Sequence, residues 1–181
     1  DHGEFGGGVE WFSRNGGVPR SVFIGRDEMY GGDVQNINRA VASDGAIYVP
    51  QGLSHMGISE GQLARLWREH DHFTSHVIAR FASEPFEWIR LEGGAWLIAT
   101  RNAIWHTDER GNSTLVARLP DVAWYPNSFV REGDGTLYVG IRGGVLRLTP
   151  TWPEMPRYAV DLLVPENDAD LSCWREPAPE G

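Results

Sequence analysis

An all-β chain built from repeated four-stranded antiparallel units is the fold class that the sequence predicts. Three observations carry it. Asp44-Gly45-Ala46-Ile47-Tyr48-Val49, Gly93-Gly94-Ala95-Trp96-Leu97-Ile98 and Asp134-Gly135-Thr136-Leu137-Tyr138-Val139 are versions of one unit, a turn dipeptide followed by a short apolar strand. They start at residues 44, 93 and 134, so the spacings are 49 and 41 residues. Periods of about 40–50 residues holding several short strands mark radial β-repeats. Finally, no long, capped amphipathic helix competes with them.

Each period divides into four strands, A to D. Strand A is expected at Asn36–Ser43, Phe86–Glu92 and Ser128–Glu132, each ending in a Gly-containing turn. Asp-Gly and Gly-Gly suit such turns because tight hairpins need positive φ. Strand B is the quoted apolar run. Strand C reads Gln62–Trp67, Ala103–Thr107 and Val145–Thr149, and strand D reads His76–Phe81, Thr114–Leu119 and Tyr158–Leu163. Arg80 and Arg118 inside the D strands fit an edge position, where charge blocks unwanted pairing. The stretch Ser59–Glu69 also has helix formers, with Leu63, Leu66 and Trp67 at helical spacing, but the repeat register favours a strand.

At the N-terminal side, Gly8–Ser13 and Ser21–Gly25 read as strands C and D of a preceding unit. At the other end, Asp170–Glu176 reads as a lone extra strand, with Leu171, Cys173 and Trp174 too apolar for a solvated tail. The expected architecture is therefore a β-propeller of three full blades plus a partial blade or one shared by both termini. Residues 1–181 form either a single four-bladed domain or, as preferred, the C-terminal portion of a larger ring. An open ring would leave a sheet face and edge to be covered by further chain or by self-association.

Composition bounds the function. The net charge of −9 argues against nucleic-acid binding, which needs clustered cations. No apolar run reaches the roughly 18 residues of a membrane span. All basic residues other than His are Arg, as a GC-rich bacterial genome would give, and Arg supplies planar forks suited to carboxylates and aromatic faces. The lone Cys173 allows neither an internal disulfide nor a Cys-based metal site. Asp1 is not a start methionine and no charged-then-apolar leader follows it, so the chain reads as processed or trimmed. Eight Trp are many for this length, and Trp11, Trp88, Trp96, Trp105, Trp124 and Trp174 fall in or beside strand-like segments, where they would fill space between packed sheets.

The chain resembles β-propeller repeat proteins, most of all the bacterial group with loosely related blades built on a D-G-x-L-Y-V core. The residues that carry this are Asp134-Gly135-Thr136-Leu137-Tyr138-Val139-Gly140 and the following Gly143-Gly144-Val145-Leu146-Arg147-Leu148, and the likeness extends over residues 8–165. The resemblance implies a fold rather than an activity, since propellers host lyases, hydrolases, lectins and docking scaffolds. By the same analogy a periplasmic or extracellular location is expected.

Three polar groups stand out. Arg101-Asn102 and Arg142-Gly143 occupy equivalent B–C turns, and matched loops in neighbouring units converge on one rim, where two guanidinium forks would clamp an anion or carboxylate. Gln51 and His55, in the corresponding loop Gln51–Glu60, are expected to join them, with His106 nearby. Tyr125 and Trp152 lie in Pro-bounded loops and are the expected exposed aromatics. His70, His72 and His76 share strand parity and would offer a Zn²⁺ site, against the plainer reading of a solvated C–D turn. The Gly-rich His2–Gly8 segment lacks P-loop residues and reads as a truncated turn.

No nucleophile elbow, zinc-protease helix motif or catalytic triad context is present. The function read from the sequence is therefore a non-catalytic binding module for a protein or carbohydrate. The alternative is a propeller enzyme acting on a sugar or ester, metal-assisted through the histidines. No cofactor is indicated.

Overall fold

The computed structural model describes residues 9–22, 36–37, 39–55, 58–120, 125–151 and 158–164. The expectations for Trp124, Trp152, Cys173, the 170–176 strand and the Gly-rich 2–8 segment lie outside them. Among the described residues there are fifteen β-strands and no helix, hence none long and apolar enough to cross a membrane.

The first hairpin pairs β1 (Val9–Trp11) with β2 (Arg20–Val22). In the next sheet, β3 (Asn36–Ile37) and β4 (Val41–Ser43) both lie along β5 (Ala46–His55), followed by β6 (Ile58–Glu69) and β7 (His72–Phe81). The expected strand A of this unit is thus two short pieces on one partner. The middle sheet has the order β8 (Pro85–Arg90), β9 (Trp96–Thr100), β10 (Ala103–Thr107), β11 (Ser113–Arg118). The last has β12 (Ser128–Arg131), β13 (Leu137–Ile141), β14 (Gly144–Pro150), β15 (Tyr158–Leu163). All neighbours are antiparallel, and the stretch 59–69 that could read as a helix lies in strand β6.

The sheets pack face to face in chain order. Strand alternation sends Trp96 and Ile98 of β9, with Trp88 of β8, toward the β5–β7 sheet, where they join Tyr48, Leu63 and Phe81. The intervening Leu97 and Ala99 point the other way, into a core with Phe129, Leu137, Val139, Leu146 and Leu148 of the last sheet. A third cluster, Val49, Ala64 and Leu66, receives Val9 and Val22 of the first hairpin. The middle sheet is therefore covered on both faces, and every residue of β9 is buried. In the last sheet β13 alternates, with Leu137, Val139 and Ile141 buried and Tyr138 and Gly140 half-buried.

Two look-alike Asp-Gly turns fold differently. Asp44 (φ 52) and Gly45 (φ 72) form a two-residue loop between Ser43 and Ala46, as type I′ geometry requires. Around Asp134 the loop is one residue longer. Gly135 alone takes positive φ (90), its N–H donates to Glu132 O at 3.0 Å, and Asp134 Oδ1 accepts from Thr136 N–H at 2.8 Å. That is a type I turn closed by a glycine bulge. Asp108 builds the same device at β10–β11, accepting from the N–H groups of Arg110 and Asn112, with Gly111 (φ 87) as the bulge.

Turn carboxylates held this way titrate low. The Asn112 amide and backbone N–H bonds pull Asp108 below the ordinary value, the Thr136 N–H does so for Asp134, the Arg90 guanidinium for Asp44, and the Trp67 and Thr74 donors for Glu69. Folded values below unfolded ones stabilise the fold above about pH 4, and that contribution is lost as pH falls through the folded values. Urea midpoints should hold from neutrality down to about pH 5 and then drop steadily toward pH 2. Asp108→Asn should flatten part of that drop.

The first two full sheets are clasped by Arg90. Its guanidinium, on β8, donates to Ser43 Oγ and pairs with Asp44 of the neighbouring turn. It also lies 5.0 Å from the Trp96 ring centroid and 5.6 Å from that of Tyr48. Charge, hydrogen bond and aromatic faces thus meet on one side chain across a sheet boundary. Arg90→Ala should lower unfolding free energy by about 2 kcal/mol in urea titration, and Arg90→Lys should recover less than half, because an ammonium has no planar fork to lie between donor and rings.

Candidate ligand-binding rim

Antiparallel order fixes which loops share an end. The loops β5–β6, β9–β10 and β13–β14 lie at one end of their sheets, together with the linkers that carry the chain from β7 to β8 and from β11 to β12. The remaining turns lie at the opposite end.

Contacts across sheet boundaries confirm that these ends coincide for the first two full sheets. Arg101 Nη1, from the β9–β10 loop, donates to Ser54 Oγ of β5 at 3.4 Å. Ser83 Oγ, in the β7–β8 linker, donates to Asn102 Oδ1 at 3.3 Å. Leu119 N–H, just after β11, donates to Asn102 O at 2.8 Å. Asn102 thus ties two linkers to one loop, and the loop itself is closed by Thr100 Oγ1 donating to Ala103 O at 3.1 Å.

Small residues make this approach close. Gly52 and Gly61 are cross-strand partners on β5 and β6, and Ser54 faces Ser59 two residues further out, beyond the Leu53–Glu60 pair. The linker lies directly on the glycine pair: a methyl group on Gly52 would fall 2.8 Å from both Glu84 Cα and Pro85 Cδ. Larger residues there would push the linker away and open the sheets.

Tyr125 stands in the β11–β12 linker, 51% exposed, with its ring edge-on to buried Phe86 at 5.5 Å. Phe86 lies in β8 just after Pro85 and the linker residues Ser83 and Glu84, so the aromatic pair and the Arg101–Asn102 loop share one end of the middle sheet. Arg142 is exposed in the β13–β14 loop, followed by Gly143 at φ 88. Among the described residues neither Arg101 nor Arg142 forms an ion pair, whereas Arg39, Arg90 and Arg147 pair with Glu87, Asp44 and Asp161.

Arg80 and Arg118 close their D strands at the same end as Arg101 and Arg142, where Glu60 and Glu84 also lie, while Asp44, Asp71, Glu92, Asp108, Glu109, Arg110 and Asp134 occupy the opposite turns. Among the described residues this end thus carries four arginines and two glutamates in a chain of net charge −9.

The expected loop at Gln51–Glu60 is corrected. A continuous ladder from Gln51↔Gln62 to His55↔Ile58 makes most of it hairpin strand. Gln51 is 4% exposed. It shares strand parity with Val49, in the cluster facing the first hairpin, whereas Ser54 on the other face meets Arg101. Gln51 thus lies buried on the strand face opposite Ser54. His55 is the last residue of β5, and His106 lies along β10 between Leu97 and Thr114 rather than at the loop.

The histidines do not assemble into a ligand set. His70 sits in the β6–β7 turn with φ 56, which breaks strand parity with His72 and His76. His72 Nε2 lies 3.8 Å from Glu69 Oε2, and His76 pairs across the ladder with Arg65. Among the described residues no three His, Cys, Asp or Glu side chains come together to hold a metal ion.

The rim residues that sequence reasoning missed are Ser54, Ser83, Asn102 and Phe86. Only the Gly52 and Gly61 positions hinted at a close crossing. No protein-family model matches the chain, and no curated protein sequence matches it.

Proposed function

We propose that the three sheets are consecutive blades of a β-propeller and that the protein is a non-catalytic binding module for a carboxylate-bearing protein or carbohydrate ligand. Face-to-face stacking in chain order and the repeated register support the propeller reading. The observation that carries the binding reading is the rim. Arg101 and Arg142 stand at equivalent loops of successive sheets, without a carboxylate partner among the described residues. Guanidinium forks suit carboxylates, and the exposed Tyr125 ring adds an aromatic face.

The Arg101→Ala/Arg142→Ala double variant is expected to bind carboxylate-rich probes, both polyglutamate and oligogalacturonate, at least about tenfold more weakly than wild type in calorimetric titration. The melting temperature should hardly change, since Arg142 is exposed and Arg101 contributes one long hydrogen bond. Equal affinity in both proteins would reject the arginines and move attention to Tyr125.

A further inference from the structure

We infer that the outward face of the last sheet is a self-association surface, on which a second copy of this chain docks through the same face about a two-fold axis. Alternation puts Leu137 and Val139 of β13 into the core shared with the middle sheet, so Tyr138 points outward. Residues paired across strands share a face, which places Val130, Tyr138, Arg147 and Asp161 in one outward row. Val145 and Leu163 stand in the next row. Val130 is 56% exposed and Leu163 40%, and none of the described core clusters includes either.

The row repeats one that already receives a sheet in this molecule. Val41, Tyr48 and Arg65 are paired across β4, β5 and β6 just as Val130, Tyr138 and Arg147 are across β12, β13 and β14. In the first case the middle sheet covers the row. The Tyr48 ring centroid lies 4.6 Å from that of Trp96, the Arg90 guanidinium stands over the same ring, and Tyr48 is buried. On the last sheet the same residue types recur with no layer on them among the described residues, and Tyr138 is only half-buried. What fits there is another sheet that brings a guanidinium to the tyrosine.

A second copy meets that requirement because the row contains both halves of the contact. Tyr138 and Arg147 are cross-strand partners, so a two-fold axis running along the strands between β13 and β14 sets each copy's Arg147 over the other copy's Tyr138. A two-fold interface demands this kind of self-complementarity. Charge permits the approach. Arg147 Nη2 lies 2.8 Å from Asp161 Oδ2, so the row is neutral, and the nearest further carboxylate, Glu132, lies at the turn end of β12, past the row. One sheet face makes a small interface, so the association is reversible, with a dissociation constant on the order of 10 µM.

The test is sedimentation equilibrium of the whole chain from about 1 to about 300 µM, a range that brackets the expected dissociation constant. A monomer–dimer equilibrium is expected. Val130→Asp and Arg147→Glu should each weaken the dimer at least about tenfold, with folding checked by thermal melting. Leu115→Asp, at an exposed apolar residue of β11, should dimerise as wild type. A monomer at every concentration would overturn the proposal, and so would a dimer that neither Val130→Asp nor Arg147→Glu weakens, since it would form through another face. Species that keep growing beyond the dimer would overturn the two-fold pairing and point to head-to-tail stacking of sheets.

Discussion

A Gly61→Ala variant is expected to lose roughly 3–5 kcal/mol of unfolding free energy, a large share of what a domain of this size possesses. The added methyl group would meet the Pro85 ring and lie 2.5 Å from Ser83 O. Neither neighbour is the free end of a flexible side chain. Ser83 belongs to the linker that carries the chain from β7 into β8, Pro85 is the first residue of β8, and the linker is fixed at its other side by the Ser83–Asn102 hydrogen bond. Relief would require parting the two sheets, which exposes the Trp88, Trp96 and Phe81 cluster. Chemical denaturation measures the loss directly. A change under about 1 kcal/mol would mean that the linker does not rest on the glycine pair.

Gly111→Ala should be comparably damaging, at about 3–4 kcal/mol, for two reasons that add. The backbone there has φ 87, which only glycine adopts without penalty, and the new methyl would run into the carbonyl oxygen of Ile78, with the carbonyl carbon at 3.0 Å. Gly93 separates the two contributions. It has φ 85, but a methyl group added there would meet nothing within 4 Å, so Gly93→Ala should cost only the conformational share, about 1 kcal/mol. If both variants lose the same amount, the β10–β11 turn does not dock on β7.

Much of the strand order was legible because each unit carries its own punctuation. Ala103–Thr107 and Tyr158–Leu163 occur with the bounds expected, since turn residues flank a short apolar run. What local pattern could not give is length and facing. Pro50, Gly52, Ser54, Gly57 and Ser59 have the composition of a loop, yet most of that stretch extends the β5–β6 hairpin, because the linker packs on its glycines from far along the chain. The same long-range contact decides that Ser54, not Gln51, meets Arg101. Likewise Asp44-Gly45 and Asp134-Gly135 read alike, but one additional loop residue moves positive φ off the aspartate in the second. Of the candidate site, the two arginines and Tyr125 could be named from repeat position and exposed aromatic context. The hydroxyls around them could not, since serines in a linker carry no signal until the sheets are stacked.

The stacking has a consequence for how stability is distributed. Each described core cluster joins two neighbouring layers: first hairpin to β5–β7 sheet, that sheet to the middle one, and the middle one to the last. The energy of such an array is close to a sum of layers and of the interfaces between adjacent layers. A unit added to or removed from the series changes the number of interfaces but leaves the pairing inside every other unit intact. Damage is correspondingly local in origin. A lesion in β13 weakens one junction, whereas a lesion in β9 or in β5, whose alternate residues serve both sides, weakens two at once. The two inner sheets each hold two junctions of the array, and the outer layers are the places where change in length is best tolerated.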